Sequence, residues 1–251
     1  MKVAIIVMPF LAVDRPSLAA GLLKAAVEQR GISCDCKYFN ITFAKMVGIH
    51  TYSDILASPT TVLAGEWIFS QFYYGQALSD WTKYERDILK CPLWGLDVET
   101  RADSIKAALS LAPLFLRVIF ESNHWERYDL VAFTSSFEQT MACLSLARMI
   151  RKHYPQIKIA AGGANFESSM GMAYMEHFPF LDYLCTGEGD ECFPQLCENL
   201  SRGLEDVPPG ILYRAEDQVR STQAKDRAAV HAVAVIHLLQ RTGDRRHHRD
   251  R

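Results

Sequence analysis

Four short apolar runs decide what this chain can fold into: residues 3–8 (VAIIVM), 129–134 (DLVAFT), 157–161 (IKIAA) and 181–186 (LDYLCT). Each is rich in β-branched or small apolar residues, and none shows a sustained alternation with polar ones. Strands covered on both faces, as in a parallel sheet, read this way. Helical patterns separate them. Pro16 and Ser17 can open a helix to about Arg30, with Leu18, Leu22, Leu23, Ala26 and Val27 on one side. Gly31 ends it, and residues 33–39 (SCDCKYF) read as the next strand, so the chain begins as a right-handed β-α-β unit.

Residues 137–153 form a second amphipathic helix, broken at Tyr154-Pro155, and residues 167–177 and 190–202 give two more. Between strands two and three, about 41–125, no strong strand pattern appears. Aromatic residues are dense there (Trp67, Phe69, Phe72, Tyr73, Tyr74, Trp81, Tyr84 and Trp94), and helical spacing runs through 62–75, 79–91 and 99–122. The expected fold is α/β: a flavodoxin-like, doubly wound parallel sheet of five strands, order 2-1-3-4-5, with a helical insertion between strands two and three. Residues 1–214 form this domain. Residues 207–214 read as a short extended segment, and residues 215–251, ending in RTGDRRHHRDR, as a polar, basic tail expected to be solvated and disordered.

The 251 residues carry a net charge of −2, which points to neither nucleic acid nor a membrane surface. No run approaches the roughly 18 apolar residues of a membrane span. The N-terminal apolar run stops at Pro9 without a signal-peptide pattern, so the expected location is the cytoplasm. The cysteines number seven, scattered and without a C-x-x-C pair. Reduced thiols are the expectation, and zinc or iron–sulfur ligation by this chain alone is not.

Ligands of open α/β sheets sit beyond the carboxyl ends of the strands. Pro9 and Phe10 follow strand one. Thr134, Ser135, Ser136 and Phe137 end or follow strand three; Gly162, Gly163 and Ala164, strand four; and Gly187, Glu188 and Gly189, strand five. Glycines there let a large flat ligand approach the backbone, and free N–H and hydroxyl groups can bond its polar atoms. Taken singly, the glycines could just serve turns and the serines could cap a helix. It is their coincidence on one edge that marks a site. Glu138 and Glu188 could act as acid or base, but a Glu at a helix start already serves the helix dipole. No catalytic residue and no protein metal ligand is assigned.

The run FTSSFEQTMACLSLARMIRKHYPQIKIAAGGANFESSMG, followed by FPFLDYLCTGEGDECFPQL, resembles the N-terminal cobalamin (B12)-binding domain of B12-dependent radical-SAM proteins. VMPF, PSLAAGLLKAAVEQRGI and GEWIFSQFYYG resemble in particular the branch of peptide natural-product (RiPP) maturases. The resemblance covers residues 1–214. It implies a cobalamin-binding module of a methyltransferase, with the nucleotide tail near Ser135, Ser136, Gly162 and Gly163. The corrin would rest over Pro9, Phe10, Phe137 and the loop 187–189.

Two departures qualify it. Family members with a lower histidine ligand carry D-x-H-x-x-G after strand one; here residues 14–19 read DRPSLA, so Pro16 replaces the histidine and the resemblance implies no lower His ligand from this loop. The C-x-x-x-C-x-x-C motif that holds the four-iron cluster is missing. The cluster and S-adenosylmethionine are therefore expected only in a missing or separate half, with truncation, a frameshift and a split system all open. A separate radical-SAM protein or a precursor peptide would be the partner. The competing reading is a non-catalytic interaction or sensory module on the same fold. A nucleotide or flavin enzyme fits less well, because G-E-G-D-E-C follows the last strand and lacks the third glycine of a dinucleotide fingerprint.

Overall fold

The computed structural model describes residues 1–75, 80–91, 98–216 and 218–222. Trp94 and most of the basic tail lie outside the described residues. Strand β1 (Lys2–Val7) is followed by helix α1 (Leu18–Glu28) and β2 (Ser33–Tyr38). Ser17 caps α1, its Oγ accepting from the Ala20 N–H at 3.2 Å. Gly31 leaves the helix at φ +75°, a conformation that glycine adopts without strain.

Next come α2 (Phe39–Val47), α3 (Ile49–Leu56), α4 (Ala64–Tyr74), α5 (Trp81–Tyr84), which runs into a π-turn at Glu85–Leu89, and α6 (Val98–Glu121). The regular alternation then resumes as β3 (Leu130–Thr134), α7 (Thr140–His153), β4 (Lys158–Gly162), α8 (Ser168–His177), β5 (Tyr183–Cys185) and α9 (Gly189–Ser201). The chain closes on β6 (Ile211–Ala215) and β7 (Gln218–Ser221).

The sheet order is β2-β1-β3-β4-β5-β6-β7. The first five strands are parallel and stand in the expected order, but the expected total of five is corrected to seven. β6 pairs antiparallel with β5, and β7 antiparallel with β6. The physical reason is edge protection. β5 would otherwise expose its unpaired backbone, and the hairpin moves the edge out to Gln218–Ser221, a short polar strand of the kind that ends sheets. Its polarity is also why it reads as tail in the sequence.

Side chains alternate between two cores, as the strand period requires. Val3, Ile5, Val7, Leu130, Ala132 and Ala160 face α1 and α9. Ala4, Ile6, Val131, Phe133, Ile159 and Ala161 face α7, α8 and the helices inserted between β2 and β3. The insertion is aromatic-rich because it is packed: Phe43, Tyr52, Phe69 and Phe115 are fully buried there, with Phe43 and Phe115 centroids 4.7 Å apart.

Candidate functional site

The parallel register brings the strand ends into one row: Val7 opposite Thr134, Thr134 opposite Gly162, and Gly162 opposite Cys185. One step back on the same face, Ile5, Ala132 and Ala160 are aligned. Toward their carboxyl ends the central strands β3 and β4 thus present Ala132, Thr134, Ala160 and Gly162 beneath α1 and α9. Residues this small leave the space between sheet and helices unfilled. The result is a crevice of about 380 Å³, walled by Ala19, Leu22 and Leu23 of α1 and by Gly189, Asp190 and Phe193 of α9. Gly163, Gly187 and Glu188 complete its mouth.

Its walls are mostly apolar. Cys185 adds no charge, because its hydrogen bond with Cys192 and its burial push the thiol well up from its ordinary range. The first turn of α9 carries Asp190 and Glu191, which already offset the positive end of that helix. The crevice is thus apolar along its walls and carries carboxylates at the start of α9.

Of the residues singled out in the sequence, Thr134, Gly162, Gly163, Gly187, Glu188 and Gly189 come together here. The others lie elsewhere. Pro9 and Phe10 are buried, and the Phe10 ring packs on Tyr52 at 4.9 Å and Phe43 at 5.7 Å. Ser135 is 2% exposed, with its Oγ 3.3 Å from Thr140 Oγ1 and accepting from Asn165 Nδ2 at 3.3 Å. Ser136 Oγ donates to Gln139 Oε1 at 2.9 Å, and Gln139 in turn donates to the Met8 carbonyl. Ala164 is exposed at the start of a short 3-10 turn, Ala164–Phe166. Phe137 is exposed and borders a second cavity. Ala132 and Ala160, which shape the crevice floor, carry a legible signal: small residues at period two on adjacent strands.

The second cavity, about 350 Å³, opens on the opposite face of the sheet between α4, the start of α7 and α8. Helix α7 begins at Thr140, three residues later than the sequence pattern implied, and this frees Glu138, at φ +63°, from the helix. Glu138 and Glu66 then cap each other's helices. Glu66 of α4 accepts from the Thr140 and Met141 N–H groups at 3.0 and 2.7 Å, while Glu138 Oε2 accepts from the Gly65 N–H at 3.1 Å. A carboxylate at each helix start is favourable. Gly65 is required by the close approach, since a Cβ there would stand 2.5 Å from the Glu138 carbonyl oxygen. Glu66 was not singled out in the sequence, because the partner helix it caps is 74 residues away.

Burial pushes the Glu138 carboxyl up from its ordinary 4.5 to about 7, with the neighbouring Glu66 adding to the rise and the Gly65 and Ala64 amides opposing it. Burial raises Glu66 as well. A folded-state value above the unfolded one means that the native protein keeps a proton the unfolded chain has released. Stability is then full below about pH 4.5 and falls as pH rises through about 7, by roughly 2–3 kcal/mol for Glu138. Urea denaturation at pH about 5 and about 8 is expected to show Glu138→Gln removing most of this fall. An unchanged fall in the variant would assign the slope to other groups.

No helix among the described residues is long and apolar enough to cross a membrane. Among the described residues no group of three or more His, Cys, Asp or Glu side chains could hold a metal ion.

No protein-family model matches the chain, and no curated protein matches it. Solved structures do. The radical S-adenosylmethionine methyltransferase TsrM from Kitasatospora setae, with tryptophan substrate and a SAM analogue (aza-SAM) bound, is 15% identical over 88% of this chain and 30% of its own, at a TM-score of 0.46. The same enzyme with cobalamin and a [4Fe-4S] cluster bound is 15% identical over 89% of this chain and 29% of its own, at a TM-score of 0.45. A XylFII molecule aligns with 88% of this chain and 98% of its own at 10% identity and a TM-score of 0.21. This chain thus spans about 30% of the length of the methyltransferase it is similar to.

Proposed function

We propose that the chain is a corrinoid-binding module whose crevice takes the nucleotide end of cobalamin, leaving the corrin outside at the strand tips. The observation that carries this is the small-residue floor of β3 and β4 under α1 and α9: a slot for a flat aromatic base. Its volume is at the lower end of small-molecule sites, roughly 300–1,000 Å³, so it suits the benzimidazole nucleotide and is too small for the whole cofactor. The fit is local. Gly162 keeps the floor low, and a Cβ there would meet Cys185 Cβ at 3.2 Å. At the mouth, the Thr134 hydroxyl and the backbone around Gly163, Gly187 and Gly189, which line the crevice, would bond ribose or phosphate.

Pro16 leaves the loop 14–19 without an imidazole for the cobalt. Phe10, packed in the core, is not an aromatic support for the corrin. Bound cobalamin would supply methyl transfer through cobalt. The chain's own residues hold, orient and exclude water from its nucleotide end. In this reading the module serves a B12-dependent radical-SAM methyltransferase of the RiPP-maturation type, with the cluster and S-adenosylmethionine held elsewhere.

Hydroxocobalamin added to the purified chain is expected to give a saturable absorbance change at one equivalent and to co-elute on gel filtration. A flat titration would sink the proposal and leave the interaction-module reading.

A further inference from the structure

We infer that the cavity between α4, α7 and α8 is a second binding site, for a small organic ammonium ion. It goes beyond the corrinoid reading and does not rest on it, because the two cavities lie on opposite faces of the sheet. Three observations carry it. Glu138 is 7% exposed, borders the cavity, and has an Oε1 atom with no hydrogen-bond partner. Glu66 stands beside it, with both oxygens already occupied by amides of α7. Among the described residues, no Lys, Arg or His forms an ion pair with either carboxylate.

Two neighbouring carboxylates in a place this dry need a compensating positive charge. A proton supplies it at low pH. Above neutrality an N–H cation does so with a hydrogen bond to the orphan oxygen. The rest of the wall favours an organic cation over a metal. Phe137 and Tyr174 provide aromatic rings, and Met141 and Met170 provide polarisable sulfur. Three carboxylate, imidazole or thiolate ligands for a metal do not converge there among the described residues. The volume of about 350 Å³ holds an amine with an aromatic or aliphatic body.

The titratable groups facing Glu138 are Glu66 from α4 and Tyr84 from α5; Tyr174 of α8 and Cys143 of α7 face Glu66. Burial raises both tyrosines and Cys143, so these stay neutral near pH 7, and the two carboxyls, Glu138 and Glu66, both raised by burial, set the pH response.

The test uses benzylamine as probe and benzyl alcohol as its neutral counterpart, titrated calorimetrically into the full chain. Benzylamine is expected to bind saturably at pH about 8, several-fold more weakly at pH about 6, and at least about tenfold more tightly than the alcohol. Glu138→Gln should weaken the amine at least about tenfold and leave the hydroxocobalamin titration unchanged. If that variant does not fold, Met170→Lys carries the test. Met170 is 52% exposed at the cavity, and a tethered ammonium there should exclude benzylamine to a similar degree. The inference is overturned by no saturation up to about 10 mM, by equal binding of amine and alcohol, by equal affinity at the two pH values, or by a variant that binds the amine like the parent protein.

Discussion

Gly163→Ala is expected to destabilise the protein by about 3–4 kcal/mol, the largest effect of any single methyl group added at the rim of the crevice. Gly163 stands at φ +107° and ψ 175°, a region open essentially to glycine. The added Cβ would also fall 2.3 Å from the Ser135 carbonyl oxygen. That oxygen belongs to backbone fixed by the bond from the Ser135 N–H to the Gly162 carbonyl at 2.8 Å, so it has little freedom to retreat. Strain and overlap therefore add. Gly187 separates the two: its φ is +92°, but nothing lies within 4 Å of a Cβ there. Gly187→Ala should cost only the backbone strain, about 1–2 kcal/mol. Urea denaturation of both variants checks this, and equal losses would mean that the close approach at Ser135 contributes nothing.

Gly189→Leu is expected to weaken hydroxocobalamin binding at least about 100-fold while leaving stability within about 1 kcal/mol of the parent. Gly189 opens α9 and borders the crevice, and a Cβ there would make only ordinary contact, 3.7 Å from Leu23 Cδ2. The backbone therefore accepts a side chain, and leucine is the better helix former. Gly189 lines the crevice between α1 and α9, and the added bulk is expected to occupy it. The variant dissociates two properties that Gly163→Ala would disturb together. Unchanged affinity in a folded Gly189→Leu protein would place the ligand elsewhere.

The parts of this fold that were legible in the sequence are those fixed by local pattern. The apolar runs at 3–8, 129–134 and 157–161 become central parallel strands because nothing but burial on both faces suits them. Gly31 and Tyr154-Pro155 stop helices by backbone geometry alone. What stayed hidden depends on partners distant in the chain. Gln218–Ser221 is a strand only because β6 offers it an edge, and its own residues are polar. Phe10 follows a strand, as a ligand contact would, yet turns inward because the inserted helices bring Phe43 and Tyr52 against it. Ser135 and Ser136 are drawn into a network with Thr140, Asn165 and Gln139 and are not left at the crevice mouth. Glu138 was visible as a charged residue near a helix start, but its role as a cap for α4 needed the approach of Gly65.

The most direct test of the account compares hydroxocobalamin with cobinamide, the same corrin without its benzimidazole nucleotide, in parallel titrations of the purified chain. If the slot floored by Ala132, Ala160 and Gly162 receives the base, cobalamin binds at least about 100-fold more tightly than cobinamide. Equal affinity for the two corrinoids, or binding of neither, would contradict it.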